Sequence, residues 1–317
     1  MGKVTILRAG PLLTVQDLGR PQHRSAGISP GGALDAHAAR VANLLVGNQE
    51  EAALFEITFG PTRFRFRDER VVACCGAEVG IPLGKPLRVL PNEPLELSAP
   101  QRGCRSWLAI FGGLDVPKVL GSGSTDLRAN FGGWEGRVLR DGDEQPLGRA
   151  TDNLRFTGAQ ASWSAPNEWA QTPARHPILR VVVGAEWNDF TAEAQRRFQG
   201  KIFIVSAQAD RMGARLEGPE LARQNEIELI SEAVAPGTIQ VANDRQPILL
   251  LGDCQTIGGY PKIAHVITVD LPIAAQLRPD DSGRFQLVTL AEAHELFAAR
   301  EKDLARFRVG LQLLTPR

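Results

Sequence analysis

The stretch TRFRFRDE, residues 62–69, alternates Phe64 and Phe66 with Arg63, Arg65 and Arg67. A period of two sets the phenylalanines on one face of a pleated strand and the guanidinium groups on the other, as in a half-exposed antiparallel strand. Comparable short runs precede residue 114: KVTILRA, RVVACC, LRVL, PLELSA and SWLAIFGG. Others follow residue 177: ILRVVVG, KIFIVSA, TIQVA, PILLLG, HVITVDL and RFQLVTL. The 32 glycines and 21 prolines supply turns between them. The expected class is therefore mainly β with a few helices.

Two helices are marked by their ends. LDAHAARVANLLVGN has Asp35 where an N-cap accepts main-chain N–H groups, apolar positions at Ala38, Val41, Ala42 and Leu45, and Gly47 where a left-handed residue ends the helix. Near residue 290, Thr289 and Glu292 have capping-box spacing ahead of an amphipathic run through Leu296, Phe297 and Leu304. A shorter helix is expected around Asp189 to Phe198.

At 317 residues the chain exceeds the roughly 100–200 of a usual domain, so two domains are expected, one large β domain being the other option. The segment GAQASWSAPNEWAQTPARHP, 158–177, has neither period and reads as the connection, giving domains 1–165 and 166–317. LAIFGGLDVPKVL (108–120) and DCQTIGGYPKIAHV (253–266) share a passage from an apolar strand through Gly-Gly and Pro-Lys, a short echo consistent with duplication.

Thirty-six basic and 36 acidic residues cancel, which argues against nucleic acid or an anionic membrane as partner. No secretory signal and no run of about 20 apolar residues is present, so a cytoplasmic location is expected. The four cysteines, at 74, 75, 104 and 254, form no CxxC pair, and no histidine stands at metal-ligand spacing. Neither a metal site nor a disulfide framework is expected; alternation would turn one of Cys74 and Cys75 inward and one outward, and both are expected to serve as small buried hydrophobes. A GxxxxGK[ST] phosphate loop and a GxSxG elbow are both missing.

Four segments combine permissive glycines with clustered polar groups: TVQDLGR (14–20) with GISPGGALD (27–35), residues 112–133, ADRMGARLEGP (209–219) and LGDCQTIGGYPKIA (251–264). In the third, Asp210, Arg211 and Arg215 surround Gly213; they read either as ion pairs bracing a turn or as a bidentate grip on an anion. In the fourth, a buried strand delivers Asp253 to a sheet end. Gly258 and Gly259 let a ligand approach the backbone, while Gln255, Thr256, Tyr260 and Lys262 present hydrogen-bonding groups or charge. A solvated tight turn is the competing reading.

TVQDLGR, GALDAHAARVANLLVGN, FEITFGPTRF, GGLDVPKVLGSGST, DRMGARLEGPEL, GTIQVANDRQPILLLGDCQTIGGYPKIAHVI and DLPIAAQLRP together resemble the allophanate hydrolase subunit 2, or biotin-dependent carboxyltransferase-like, family. That family includes the KipA protein and the C subunit of prokaryotic 5-oxoprolinase. The resemblance implies two cyclophilin-like β-barrel domains and a KipI-like partner of allophanate hydrolase subunit 1 type. With a LamB/YcsF-like subunit as well, the assembly would be a hetero-oligomer that opens 5-oxoproline to L-glutamate using ATP. By position in matching motifs, Arg211 and Lys262 would stabilise an anion, and Asp253 would orient Lys262 or serve as general base. Gln255, Thr256 and Tyr260 would position the ring, Gly258 and Gly259 would admit it, and Asp17 and Arg20 would lie near the same cleft. Other readings are a KipA-type regulator binding a KipI-like kinase inhibitor, and a urea-carboxylase-type carboxyltransferase using biotin on a separate carrier. Three places depart from the family pattern: GAEWNDF (184–190) for GPQxDxF, Ile257 within QTIGGYP, and Gly123 where relatives carry a basic residue.

Overall fold

Short strands joined by glycine turns bury their apolar faces in two compact units, residues 1–20, 31–172 and 302–317 forming one and residues 21–30 and 173–301 the other. The computed structural model describes residues 2–149, 156, 158–170, 176–225 and 227–314.

The first unit holds β1 (Lys3–Arg8), β2 (Leu12–Gln16), α1 (Ala36–Val46), β3 (Leu54–Thr58), β4 (Thr62–Phe66), β5 (Arg70–Gly76), β6 (Leu87–Val89), β7 (Pro94–Leu97), β8 (Arg105–Ile110), β9 (Glu144–Pro146) and α2 (Asn167–Ala170). They form a four-stranded sheet, β7-β4-β1-β9, and a five-stranded sheet, β2-β3-β8-β5-β6. Phe64 and Phe66 of the alternating strand are buried with Val4, Ile6, Leu13, Phe55 and Leu108, while Arg63 and Arg65 are exposed. Each large side chain so buried contributes about 2 kcal/mol by transfer from water.

Helix α1 begins and ends as its capping residues dictate. Asp35 accepts the Ala38 N–H at 2.8 Å, and Gly47 takes φ 83°. Packed on β5 and β8, the helix covers the face that would otherwise be wet. β5 is consequently buried along its whole length, and Cys74 and Cys75 are both inaccessible, as expected of small buried hydrophobes, because both faces of the strand are covered. All four cysteines are free thiols. The described part of the expected connection packs on this unit too: Ala161 N–H donates to Pro86 O at 3.0 Å and Ala165 N–H to Gly84 O at 2.7 Å. Residues 171–175 of that segment lie outside the described residues.

The second unit contains β10 (Ile178–Val183), α3 (Ala192–Gly200), β11 (Phe203–Ala209), β12 (Gly213–Glu217), β13 (Glu232–Ala233), β14 (Thr238–Val241), β15 (Pro247–Leu250), β16 (Ile257–Gly258), β17 (Lys262–Val266), α4 (Leu271–Ala275) and β18 (Ser282–Leu287); α5 (Leu290–Leu313) runs on past residue 301. Seven strands close a barrel in the order β10-β17-β14-β15-β12-β11-β18, and β13 pairs with β16 in a separate two-stranded ribbon. Continuous strand closure is thus present in the second unit, whereas the first is built from two separate sheets. The short helix expected from Asp189 is a 3-10 turn at Trp187–Asp189 followed by α3, capped by the Thr191 hydroxyl. Phe198 of that helix stacks on Phe285 with ring centroids 4.5 Å apart. The Thr289 and Glu292 capping box forms at the start of α5: Thr289 N–H donates to Glu292 Oε2 at 2.7 Å and Glu292 N–H to Thr289 Oγ1 at 3.2 Å.

Candidate functional site

On the second unit, β14 and the segments after β12, β15 and β16 surround a cavity of about 550 Å³. Its polar lining residues are Gln240, Asn243, Gln255, Tyr260, Glu228, Arg223 and Arg245, with Arg245 paired to Glu220 at 3.1 Å and Arg223 lying 3.8 Å from Asp189. Gln240 is 1% exposed and donates to the Tyr260 carbonyl at 3.0 Å, tying the strand to the opposite rim. A Cβ at Gly258 would sit 2.8 Å from Gln240 Nε2, so any larger residue there must displace that amide. Gln255, Gly258, Gly259 and Tyr260 from the sequence expectation all line this space. Thr256 stands next to them; its carbonyl accepts the Val234 N–H at 3.0 Å.

Arg211 and Asp253 form a separate pair. The Arg211 Nε to Asp253 Oδ2 distance is 2.8 Å and the second guanidinium nitrogen lies 2.9 Å from Oδ1. A main-chain bond, Asp253 N–H to Arg211 O at 3.0 Å, fixes the same two segments. Asp253 therefore serves Arg211, where the motif reading allows it to orient Lys262.

The Lys262 ammonium lies 2.8 Å from Glu232 Oε2 and 3.3 Å from Glu186 Oε1. Burial alone would pull its pKa down; the Glu232 hydrogen bond and the Glu186 charge outweigh that and hold it above the ordinary lysine value. Neither Arg211 nor Lys262 is among the residues lining the cavity. Beside Lys262 on the same strand, His265 accepts or donates at 3.2 Å with Thr238 Oγ1. Burial and then the Lys262 charge keep this imidazole below its usual pKa.

Asp17 and Arg20 belong to the first unit and brace the glycine-rich loop at 119–126. The Asp17 carboxylate accepts from Ser122 Oγ and Ser124 Oγ, both at 2.6 Å, from the Gly123 N–H at 2.6 Å and from the Gly19 N–H at 2.7 Å. Arg20, fully buried, donates to Ser124 O at 2.5 Å and lies over the Phe131 ring at 4.8 Å. These four donors satisfy the buried Asp17 carboxylate.

Sequence reasoning misses Gln240, Asn243, Arg223, Arg245, Glu186 and Glu232. Asn243 and Arg245 stand in VANDRQP, where Arg245 takes φ 63°; an Asn-Asp turn after a strand is the available signal. Glu186 occupies one of the departures from the family pattern, within GAEWNDF, so the departure itself marks a residue that contacts Lys262.

Residues 26–287 match the family described as carboxyltransferase domain, subdomain A and B. The chain belongs to that family, as the resemblance of its motifs implies. Among curated relatives it is similar to the 5-oxoprolinase C subunit of Escherichia coli, 40% identical over 297 residues that cover 91% of this chain and 92% of that one. It is likewise similar to the 5-oxoprolinase C subunit of Haemophilus influenzae, at 34% over 312 residues, 96% and 97% of the two chains. Among solved structures, the Kluyveromyces lactis urea carboxylase superposes with a TM-score of 0.88 at 27% identity over 96% of this chain. The K. lactis urea amidolyase does so with the same score, identity and coverage. This chain spans 29% and 20% of those two long proteins, respectively.

Proposed function

We propose that the chain is one component of an ATP-dependent 5-oxoprolinase that opens 5-oxoproline to L-glutamate, acting with a KipI-like and a LamB/YcsF-like subunit in the cytoplasm. The observation that carries this reading is the 40% identity to a 5-oxoprolinase C subunit over nine-tenths of both chains. The second-unit cavity agrees with it chemically. A lactam offers one N–H and one carbonyl, complementary to the amides of Gln240, Asn243 and Gln255, and a flat ring that can lie on Tyr260. Its carboxylate calls for a cation beside that space.

A lactam carbonyl is a poor electrophile. Ring opening needs the oxygen activated by phosphorylation from ATP, which leaves as ADP, water to add at the carbon, the C–N bond to break with a proton delivered to nitrogen, and the phosphoryl group to depart as inorganic phosphate. The contribution assigned to this chain is to hold and orient the ring in the cavity. No ATP step is placed on its residues, because the sequence lacks a phosphate-binding loop. Reconstitution of the three proteins tests the reading: ATP-dependent glutamate release should require this chain, and unchanged release on its omission overturns the proposal.

A second reading is favoured by the superposition on urea carboxylase. In it the chain is a carboxyltransferase, and the same amides face the ureido ring of a biotin borne by a separate carrier. Bound biotin would supply the carboxyl group. Transfer from a carboxylated carrier to urea, with no glutamate formed from 5-oxoproline, would select this alternative.

A further inference from the structure

Lys262 begins β17 opposite Gln240 of β14, and cross-strand partners project to the same face of a sheet. Gln240 and Gly258, the cross-strand partners of Lys262 and of its counter-ion Glu232, both line the cavity, whereas Lys262 itself does not. The two carboxylates on its ammonium are held very differently. Glu186 is 14% exposed, and its second oxygen accepts the Lys262 main-chain N–H at 2.7 Å. Glu232 is 62% exposed and stands on β13, whose pairing is limited to Glu232 with Gly258 and Ala233 with Ile257. Gly258, the residue opposite Glu232, is the one pressed against the Gln240 amide. One carboxylate is built into the barrel; the other rides on an exposed ribbon whose partner strand forms part of the cavity.

We propose that the Lys262 ammonium is a carboxylate-binding site kept filled by Glu232, and that the carboxylate of a small ligand in the adjoining cavity takes its place. The proposal rests on the reading of that cavity as the place where 5-oxoproline, a monocarboxylate, binds. Exchange of one carboxylate for another leaves the charge balance around the ammonium unchanged, so no buried ion is left without a partner. A neutral or cationic ligand cannot make the exchange. An exposed ion pair is weak, so Glu232 yields while Glu186, fastened at both oxygens, stays. Glu232 is thus a specificity-determining residue that acts through Lys262.

The test reads the Lys262 amine directly, in the full chain, as the rate of its acetylation by N-hydroxysuccinimidyl acetate followed by peptide mass spectrometry. Glu232 is at the surface, so Glu232→Gln should fold normally. Loss of one counter-ion should make Lys262 react on the order of tenfold faster. In the Glu232→Gln chain, added 5-oxoproline should restore protection and 2-pyrrolidone, the same ring without the carboxylate, should not. Equal labelling of the native and Glu232→Gln chains overturns the proposal. So does protection by 2-pyrrolidone equal to that by 5-oxoproline, or absence of protection by any carboxylate. Protection by acetate but not by 5-oxoproline leaves the carboxylate site standing and removes the 5-oxoprolinase reading.

Discussion

Arg211 grips Asp253 through two parallel hydrogen bonds of 2.8 and 2.9 Å, with the guanidinium almost fully buried. A cation so engaged stabilises the loop that carries the cavity residues. Removing the carboxylate leaves a buried guanidinium short of its main counter-ion, so Asp253→Asn should lower stability by about 3 kcal/mol in urea denaturation. Arg211→Lys, which loses the bidentate geometry but keeps the charge, should cost roughly 1 kcal/mol. A stability change below about 0.5 kcal/mol in Asp253→Asn would show that the pair does not hold the loop.

The close approach at Gly258 makes the cavity sensitive to one methyl group. Gly258→Ala should displace the Gln240 amide and raise the KM for 5-oxoproline in the reconstituted complex roughly tenfold, about 1.4 kcal/mol of lost binding. Loss of the hydrogen bond from Gln240 to the Tyr260 carbonyl should cost only about 1 kcal/mol in urea denaturation. Unchanged KM would place the substrate elsewhere.

Burial, reinforced by Lys262, holds His265 below its ordinary pKa of 6.5. The unfolded chain therefore takes up a proton there before the folded one does. Stability should be full above about pH 6.5 and fall as pH drops toward the folded-state value. His265→Gln should flatten that part of the stability curve, and an identical slope in both proteins would assign the acid sensitivity to other groups.

Burial pushes the Cys74 thiol up to about 12 and that of Cys254 up to about 11, the latter raised further by Asp253 and opposed by Arg24. Cys75 is likewise raised, by burial first and then by Cys74 and Asp35. Thiolate is the reactive form. The folded chain at pH 8 should release almost no thionitrobenzoate from Ellman's reagent, whereas urea should expose all four cysteines. A single fast-reacting thiol in the folded protein would contradict this burial.

Local chemistry is legible in the sequence because its partners are close together. Asp35 and Ala38, Gly47, and Thr289 with Glu292 form caps within one helical turn, and each does what its residue type dictates. The Phe64 and Phe66 alternation likewise specifies its strand directly. Contacts across the chain are not legible: Arg211 meets Asp253 at a separation of 42 residues, Lys262 meets Glu232 at 30, and its amide meets Glu186 at 76. Nothing in a local period announces such partners. Cys74 and Cys75 illustrate the same point for packing, since alternation foresees two faces but not that α1 will cover the second.

The two compact units are interleaved along the chain, residues 21–30 grouping with 173–301 and residues 302–317 with the first unit. Arg24, from that early excursion, donates to the Val234 carbonyl, and Arg308, from the late one, reaches Glu50 at 3.0 Å. During synthesis the amino-terminal unit consequently waits for the last helix to leave the ribosome before its own contacts are complete. A scissile site engineered between residues 172 and 173 would yield halves each wanting a piece carried by the other, so cooperative unfolding should return on mixing them and not from either alone.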